Sequence, residues 1–272
     1  MDVLEELKAF YARWQGEKGY IGCTENGVLI PYFAVRKSQS PVIVAQYAIH
    51  AREYITTYLA MMQAEDFACR GKRGCVFFVP AVNMDGIAEA LHGDGLYKAN
   101  ANRVDLNVNF DARWGEGEKN VRTPCTENYI GAFPFSESET RALRDFTLMV
   151  KPDVTVSYHS KGEEIYWEFF QHGKDRKRDF YLAKRLSAAT GYPLRSAGKS
   201  AGGYKDWCVE KLKIPSFTIE VGSDALTHPI GKEFSAAIFE KNKGVIYTLT
   251  KNYGKRKKIY ARGDTGSLES EK

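Results

Sequence analysis

The sequence predicts an α/β sandwich, on three observations. PVIVAQYAI (41–49), CVFFVPAV (75–82) and IPSFTIEV (214–221) are continuous apolar runs. Such runs mark strands buried on both faces. They alternate with segments of helical periodicity, which places helices over the sheet. At 272 residues, with 43% hydrophobic and 27% charged side chains, the chain suits one large globular domain rather than a disordered or fibrous one.

The elements follow in chain order. Val3, Leu4, Leu7, Phe10, Tyr11 and Trp14 recur at helical spacing, so the chain opens with an amphipathic helix. Residues 27–36 read as a strand, 41–49 as a buried strand, 51–69 as a helix and 75–82 as a second buried strand. Residues 84–125 are rich in Gly, Asn and Asp and read as long loops, where function tends to reside. Ser136 and Glu139 form an S-x-x-E pattern, expected to cap a helix that runs to about 149. Strands are expected at 153–159 and 165–170, a helix at 175–190, a strand at 214–221 and a final helix at 230–250. The domain is taken as 1–250, with 251–272 a charged tail expected to fray.

Several classes are excluded. No apolar run reaches the roughly 18 residues of a membrane span. The start, MDVLEELKAF, has no basic region, apolar core or cleavage site, so a cytoplasmic location is expected. The net charge of +5 comes from interspersed Lys and Arg (39) and Asp and Glu (34), which is no nucleic-acid footprint. A weak pull on anionic small substrates follows. Cys23, Cys69, Cys75, Cys125 and Cys208 are odd in number and contain no C-x-x-C pair. Scattered reduced thiols are expected, not a disulfide framework.

In open α/β sheets, ligands sit beyond the carboxyl ends of strands. That directs attention to 50–53, 159–161 and 220–222. His50 and Glu53, three residues apart at a strand-to-helix turn, can converge on one point. His159, after apolar Val154 and Val156, is the best third donor, since His92, His172 and His228 lie in polar loops. A His₂Glu set leaves one tetrahedral position of Zn²⁺ open, as catalytic sites do. Glu220 ends another buried run and suits a general base for water at that position. Singly, each residue has a plain structural explanation: a chance H-x-x-E, a hydrogen-bonded histidine, a salt-bridged glutamate. Their joint placement at three strand ends argues for chemistry.

These residues lie within HARE (50–53), VDLNVNF (104–110), SYHSKGEEIYW (157–167), GGYKDW (202–207) and FTIEVG (217–222). With them the sequence, over about 20–250, resembles the zinc carboxypeptidases of the carboxypeptidase A type. Within that family it looks most like the bacterial branch that hydrolyses γ-D-glutamyl–diaminopimelate bonds. The resemblance implies a three-layer α/β/α sandwich around a central mixed, mostly parallel sheet. It implies one Zn²⁺ per chain on His50, Glu53 and His159, with Glu220 as the catalytic glutamate. Arg52 matches an arginine that binds the substrate chain, and Asn107 an asparagine that bonds the substrate carboxylate. Lys98 falls where the family has an arginine that polarises the scissile carbonyl. Lysine keeps the charge but loses the bidentate fork; Arg103 is the alternative cation. Tyr204 is the nearest match to the tyrosine that caps substrate. Val108 stands where the family has a carboxylate-clamping arginine. Valine cannot hold a carboxylate, so either another cation does so or the enzyme is an endopeptidase. Lys205, two residues before Trp207, falls in the expected specificity pocket and favours an acidic group such as a diaminopimelate carboxylate. The expected partner is a small, murein-derived peptide; the alternative activity is general metallocarboxypeptidase action on C-terminal residues.

A rival from another class is a serine hydrolase, since Gly198-Lys-Ser200-Ala-Gly202 fits G-x-S-x-G and Asp224 and His228 follow in order. The preceding PLRSA is too polar for the buried strand such an elbow needs. An inactive murein-peptide binder is a third reading, resting on Val108 and Lys98. RGD at 262–264 reads as chance.

Overall fold

Apolar strands that bury both faces need helices above and below, and the chain supplies them. In the computed structural model the described residues are 1–124, 127–196 and 198–261, with side chains described to Tyr253. Strands β1 (Glu17–Cys23), β2 (Leu29–Arg36), β3 (Val42–Tyr47), β4 (Cys75–Val79), β5 (Val154–Ser160), β6 (Glu164–Tyr166), β7 (Leu194–Arg195) and β8 (Ser216–Val221) form one sheet. Its order is β1-β2-β4-β3-β5-β8-β6-β7. The central strands β4, β3, β5 and β8 are mutually parallel. Antiparallel pairings join β1 to β2, β2 to β4 and β6 to β8. The sandwich with a mixed, mostly parallel sheet is therefore present.

Two apolar clusters fill the two faces. One joins Val154, Val156 and Tyr158 of β5 to Leu59 and Phe67 of α2 (Ile55–Arg70), Leu186 of α5 (Gly173–Thr190) and Val245 of α8 (Gly244–Ala261). The other joins Val44, Phe77 and Val79 to Leu143 and Phe146 of α4 (Ser138–Val150) and to Trp207 of α6 (Tyr204–Glu210). The opening helix, α1 (Val3–Arg13), starts on a capping box between Asp2 and Glu5 and buries Val3, Leu7 and Phe10.

Several expectations need correction. The stretch read as loop from 84 holds a helix, α3 (Met84–His92), capped by the Asn83 side chain on Gly86 N–H. The expected Ser136–Glu139 capping box does not form. Glu137 is the N-cap of α4 with no side-chain cap bond, Ser136 Oγ bonds Glu137, and Glu139 turns inward to Asn100. The strand expected at 165–170 is only Glu164–Tyr166. The expected final helix is two, α7 (Ser235–Asn242) and α8, and the second continues to Ala261. Strand β1, with its glycines and polar residues, was not legible as a strand. Of the cysteines, Cys23, Cys69, Cys75 and Cys208 are free thiols; Cys125 and the RGD triplet lie outside the described residues. Among the described residues no helix is long and apolar enough to cross a membrane.

Candidate metal centre

The site grows from the carboxyl ends of three adjacent strands. After β3, Ala48 takes a positive φ of 47° and turns the chain out of the sheet. His50 follows, and a single 3₁₀ turn, Ala51–Glu53, brings Glu53 round beside it. That turn is tied down by Ala51 N–H and Arg52 N–H, which donate to the carbonyls of Lys98 and Tyr97. The same two bonds carry Lys98 to the site. His159 is the penultimate residue of β5 and lies in register with Glu220 of β8.

The three donors converge. His50 Nδ1 lies 2.9 Å from Glu53 Oε1, His159 Nδ1 3.0 Å from Glu53 Oε2, and the two Nδ1 atoms are 3.2 Å apart. All three residues are buried. Tetrahedral zinc with bonds near 2.05 Å has ligand atoms about 3.3 Å apart, so this triangle is close to the size the ion requires. Nitrogen, nitrogen and carboxylate oxygen are also the donor set zinc takes. The residues present fit the metal. A second acidic group, Glu25, Glu137 and Glu139, lies elsewhere and already receives amide hydrogens from Asn100 and Asn102.

Around the triangle, burial and neighbouring charges shift each group. Asp105 Oδ1 accepts from His50 Nε2 at 3.1 Å, and its Oδ2 pairs with Lys98 Nζ at 2.7 Å. Burial opposes a charge on His50, but Glu53 and Asp105 outweigh it and raise the imidazole to about 9. Burial likewise opposes ionisation of Glu53, yet the two histidines hold its carboxyl well below the usual range. Burial holds His159 below the ordinary imidazole value. Glu220 is pushed well above the ordinary carboxyl value, first by burial and then by the nearby charge of Glu53. A carboxyl so perturbed and facing a cleft is a candidate for proton transfer. Lys98, opposed by burial but supported by Asp105, is raised and stays cationic.

These groups line one cleft of about 420 Å³, with His50, Lys98, Asp105, Asn107, Lys205 and Glu220 on its walls. Asn107 Oδ1 accepts from Tyr204 N–H, and Gly202, at φ +87°, packs on the backbone of Val108. Any Cβ at Gly202 would stand 2.8 Å from the Val108 carbonyl oxygen, so the two motifs can meet only through glycine. Val108 itself is on the cleft wall.

Other expected residues lie elsewhere. Tyr204 is 0% exposed and its hydroxyl bonds Thr147 at 2.8 Å, so it is a core residue of α6 and no substrate cap. Arg103 is exposed and is not on the cleft wall, which leaves Lys98 as the cation beside the donors. Arg52 turns to the Leu96 carbonyl and to Glu127. Ser200 is on the cleft wall, but its loop follows a two-residue strand and no sharp strand-to-helix elbow is formed. Asp224 pairs with Lys161, and His228 Nδ1 is without a partner among the described residues, so no serine triad assembles. Asp105, Asp206 and Tyr166 on the cleft wall were missed in the sequence. Asp105 had a signal, an acid within the otherwise apolar VDL of VDLNVNF.

A buried His–Glu–His triangle and a free carboxyl at the carboxyl ends of parallel strands define a class, the one-metal hydrolases built on an open α/β sheet. The sequence places it further, for residues 17–236 match the family model described as zinc carboxypeptidase. The chain belongs to the zinc carboxypeptidase family, whose members use one zinc ion, and it is a zinc metallopeptidase. A curated relative, γ-D-glutamyl-L-diamino acid endopeptidase 1 of Lysinibacillus sphaericus, is 29% identical over 283 residues, covering 90% of this chain and 69% of the relative. A zinc carboxypeptidase of Simulium vittatum is 27% identical, over 76% of this chain and 77% of the relative. Among solved structures, bovine thrombin-activatable fibrinolysis inhibitor superposes with a TM-score of 0.83 at 21% identity, over 94% of this chain and 98% of that one. Murein-tripeptide amidase MpaA from Escherichia coli O157 superposes with a TM-score of 0.62 at 23% identity, over 89% and 93%. These two likenesses show the shared fold.

Proposed function

We propose that the chain hydrolyses the γ-D-glutamyl–meso-diaminopimelate amide of murein-derived peptides, through a single catalytic domain over residues 1–250. The observation that carries this reading is Lys205, 5% exposed and on the wall of the metal cleft. It is paired with Asp206 at 2.5 Å and bonds the Glu168 carbonyl, and its remaining N–H can meet an acidic group on the substrate. The L. sphaericus relative is named for a γ-D-glutamyl–diamino acid bond, which agrees with it. Val108 argues against an ordinary carboxypeptidase, because it supplies no clamp for a terminal carboxylate; a carboxylate of diaminopimelate would be met by another group of the cleft.

His50, Glu53 and His159 would hold the zinc. Bound there, zinc supplies Lewis acidity toward the carbonyl and lowers the pKa of water. Glu220 takes the proton of the attacking water and passes it to the departing amine as the C–N bond breaks. Lys98, held between Asp105 and Asn128, supplies positive charge for the carbonyl oxygen. Asn107, on the cleft wall, positions the peptide. Incubation with L-Ala-γ-D-Glu-meso-diaminopimelate, beside a hippuryl amino acid, tests the reading. Release of diaminopimelate is expected; hydrolysis of the hippuryl substrate alone overturns it.

A further inference from the structure

The two imidazoles of the metal centre lie just beyond the end of a strand pairing. The ladder between β3 and β5 stops at Tyr47 and Tyr158, and His50 and His159 come after it. Ala48 has by then turned the first chain out of the sheet. The ladder alone therefore does not set the distance between the imidazoles. That distance matters, because a functional constellation has to be held to within about 0.5 Å.

On the other face of these strands, the last pair is tied to a helix. Tyr158 precedes His159, so its side chain points to the opposite side of the sheet. Tyr47 and Tyr158 are both 0% exposed, and their rings stack at 4.8 Å with planes 6° apart. Gln63 of α2, 2% exposed, reaches both hydroxyls. Tyr47 Oη donates to Gln63 Oε1 at 2.6 Å, and Gln63 Nε2 donates to Tyr158 Oη at 3.0 Å. The same nitrogen donates to the Asn242 carbonyl of α7 at 3.1 Å. A carbonyl only accepts, so Asn242 decides which end of the amide faces which tyrosine. Helix α2 itself follows the turn that carries Glu53. In its first turn Thr56 adds a further tie: Oγ1 accepts from Ala48 N–H and donates to the Glu53 carbonyl.

One buried amide thus joins the three segments that carry the three zinc donors: the strand before His50, the helix after Glu53 and the strand before His159. Both of its hydrogens and its oxygen are used, and removing any partner would leave a buried polar group unmet. We propose that Gln63 is a positioning residue of the metal centre. Through Tyr47 and Tyr158 it holds the His–Glu–His triangle at the size of the ion before the ion arrives, so that little rearrangement opposes binding. The role rests on the metal centre, not on the identity of the peptide.

The test reads metal binding by the folded full chain. Competition against a chelator measures zinc affinity, and the visible spectrum of the cobalt-substituted protein reports the geometry of the donors. Gln63→Met keeps the length of the side chain and removes all three bonds. Tyr47→Phe keeps the ring stack and removes one bond, and it stands in should the first variant not fold. Phe146→Leu is the control for stability alone, since Phe146 packs on Tyr32 and Phe77 in the cluster on the other side of the sheet. Gln63→Met is expected to weaken zinc about tenfold, the lower end of the loss seen for groups that bond a ligand directly, and to shift the cobalt bands. Tyr47→Phe should do the same to a smaller degree. The control should lower Tm and leave both readouts at wild-type values. Wild-type zinc affinity and cobalt bands in the folded Gln63→Met and Tyr47→Phe chains, with only Tm lowered, would make the amide a plain core contact and overturn the proposal. An equal loss in Phe146→Leu overturns it too, since any loosening of the fold would then suffice. A wild-type chain that binds no zinc removes the metal centre itself, and the role of Gln63 with it.

Discussion

Asp105 is buried and Glu220 half-buried at one centre, and their surroundings give them opposite behaviour. Burial and the charge of Glu53 outweigh His50 and Lys98 at Glu220, which forms no ion pair among the described residues, so its carboxyl is raised. Asp105 lies between His50 and Lys98, which outweigh burial and hold its carboxyl far below the ordinary range. Removing each should therefore fail differently. Glu220→Gln keeps the shape and all three zinc donors, so it should retain stoichiometric zinc. Turnover should fall by about 10²–10⁴-fold, the usual cost of losing a positioned base. Metal analysis beside steady-state rates checks this; a variant near wild-type rate removes Glu220 from the reaction. Asp105→Asn leaves His50 without its charged partner and frees Lys98. Zinc affinity or activity should drop about 10–100-fold, as for other partners of ligating histidines. Competition against a chelator reads it, and wild-type affinity would contradict the role. Sequence made the zinc donors and Glu220 legible, because each ends an apolar run that only a buried strand explains. Asp105 left only a faint signal, its place between Val104 and Leu106, in a loop otherwise rich in Gly, Asn and Asp. Tyr204 misled for a different reason. It is the nearest match to the family's capping tyrosine, but the side chain falls on the core side of α6.

At the scale of elements, the start of α4 carries an electrostatic load that the capping pattern concealed. Glu139 is 0% exposed and faces Glu25 and Glu137. Burial foremost, then Glu25, raises its carboxyl from 4.5 to about 7. The folded chain thus binds more protons than the unfolded chain between those two values. Stability must fall as pH climbs through that window, and the loss is complete above it. The shift corresponds to at most about 3 kcal/mol. Glu139→Gln keeps an acceptor for Asn100 and removes the charge, so its stability should change less between pH 5 and pH 8. Urea unfolding at both values measures it, and a wild-type slope in the variant would refute the assignment. The S-x-x-E pattern was legible only as a cap, since a string of residues does not reveal that Asn100, 39 positions upstream, competes for the glutamate. Helix α3 escaped for a different reason. Met84, Ile87, Ala90 and Leu91 keep helical spacing, but Gly86 within the helix and Gly93 and Gly95 after it dominated the reading.

Across the whole molecule, the ion would join segments that the chain keeps far apart. His50 and Glu53 follow β3, His159 ends β5 109 residues later, and the two strands are parallel neighbours. The unfolded chain holds no such triangle, so zinc binds the folded state and stabilises it by mass action. The sandwich itself needs no metal, because its two apolar clusters close on either side of the sheet without involving the donors. That much was legible in the apolar runs. The strand order was not, since the antiparallel edges depend on β1, of mixed polarity, and on β6, of three residues. At free zinc a thousandfold above its dissociation constant, the ion should add about 4 kcal/mol. Chains of this size shift by about 2–4 °C per kcal/mol, so chelation should lower Tm by roughly 8–16 °C while far-ultraviolet dichroism below the transition stays unchanged. Added zinc should restore Tm. His159→Ala, which opens the triangle, should lose most of that chelator-dependent shift. A chelator-sensitive Tm in that variant as large as in the wild type would mean that the ion sits elsewhere.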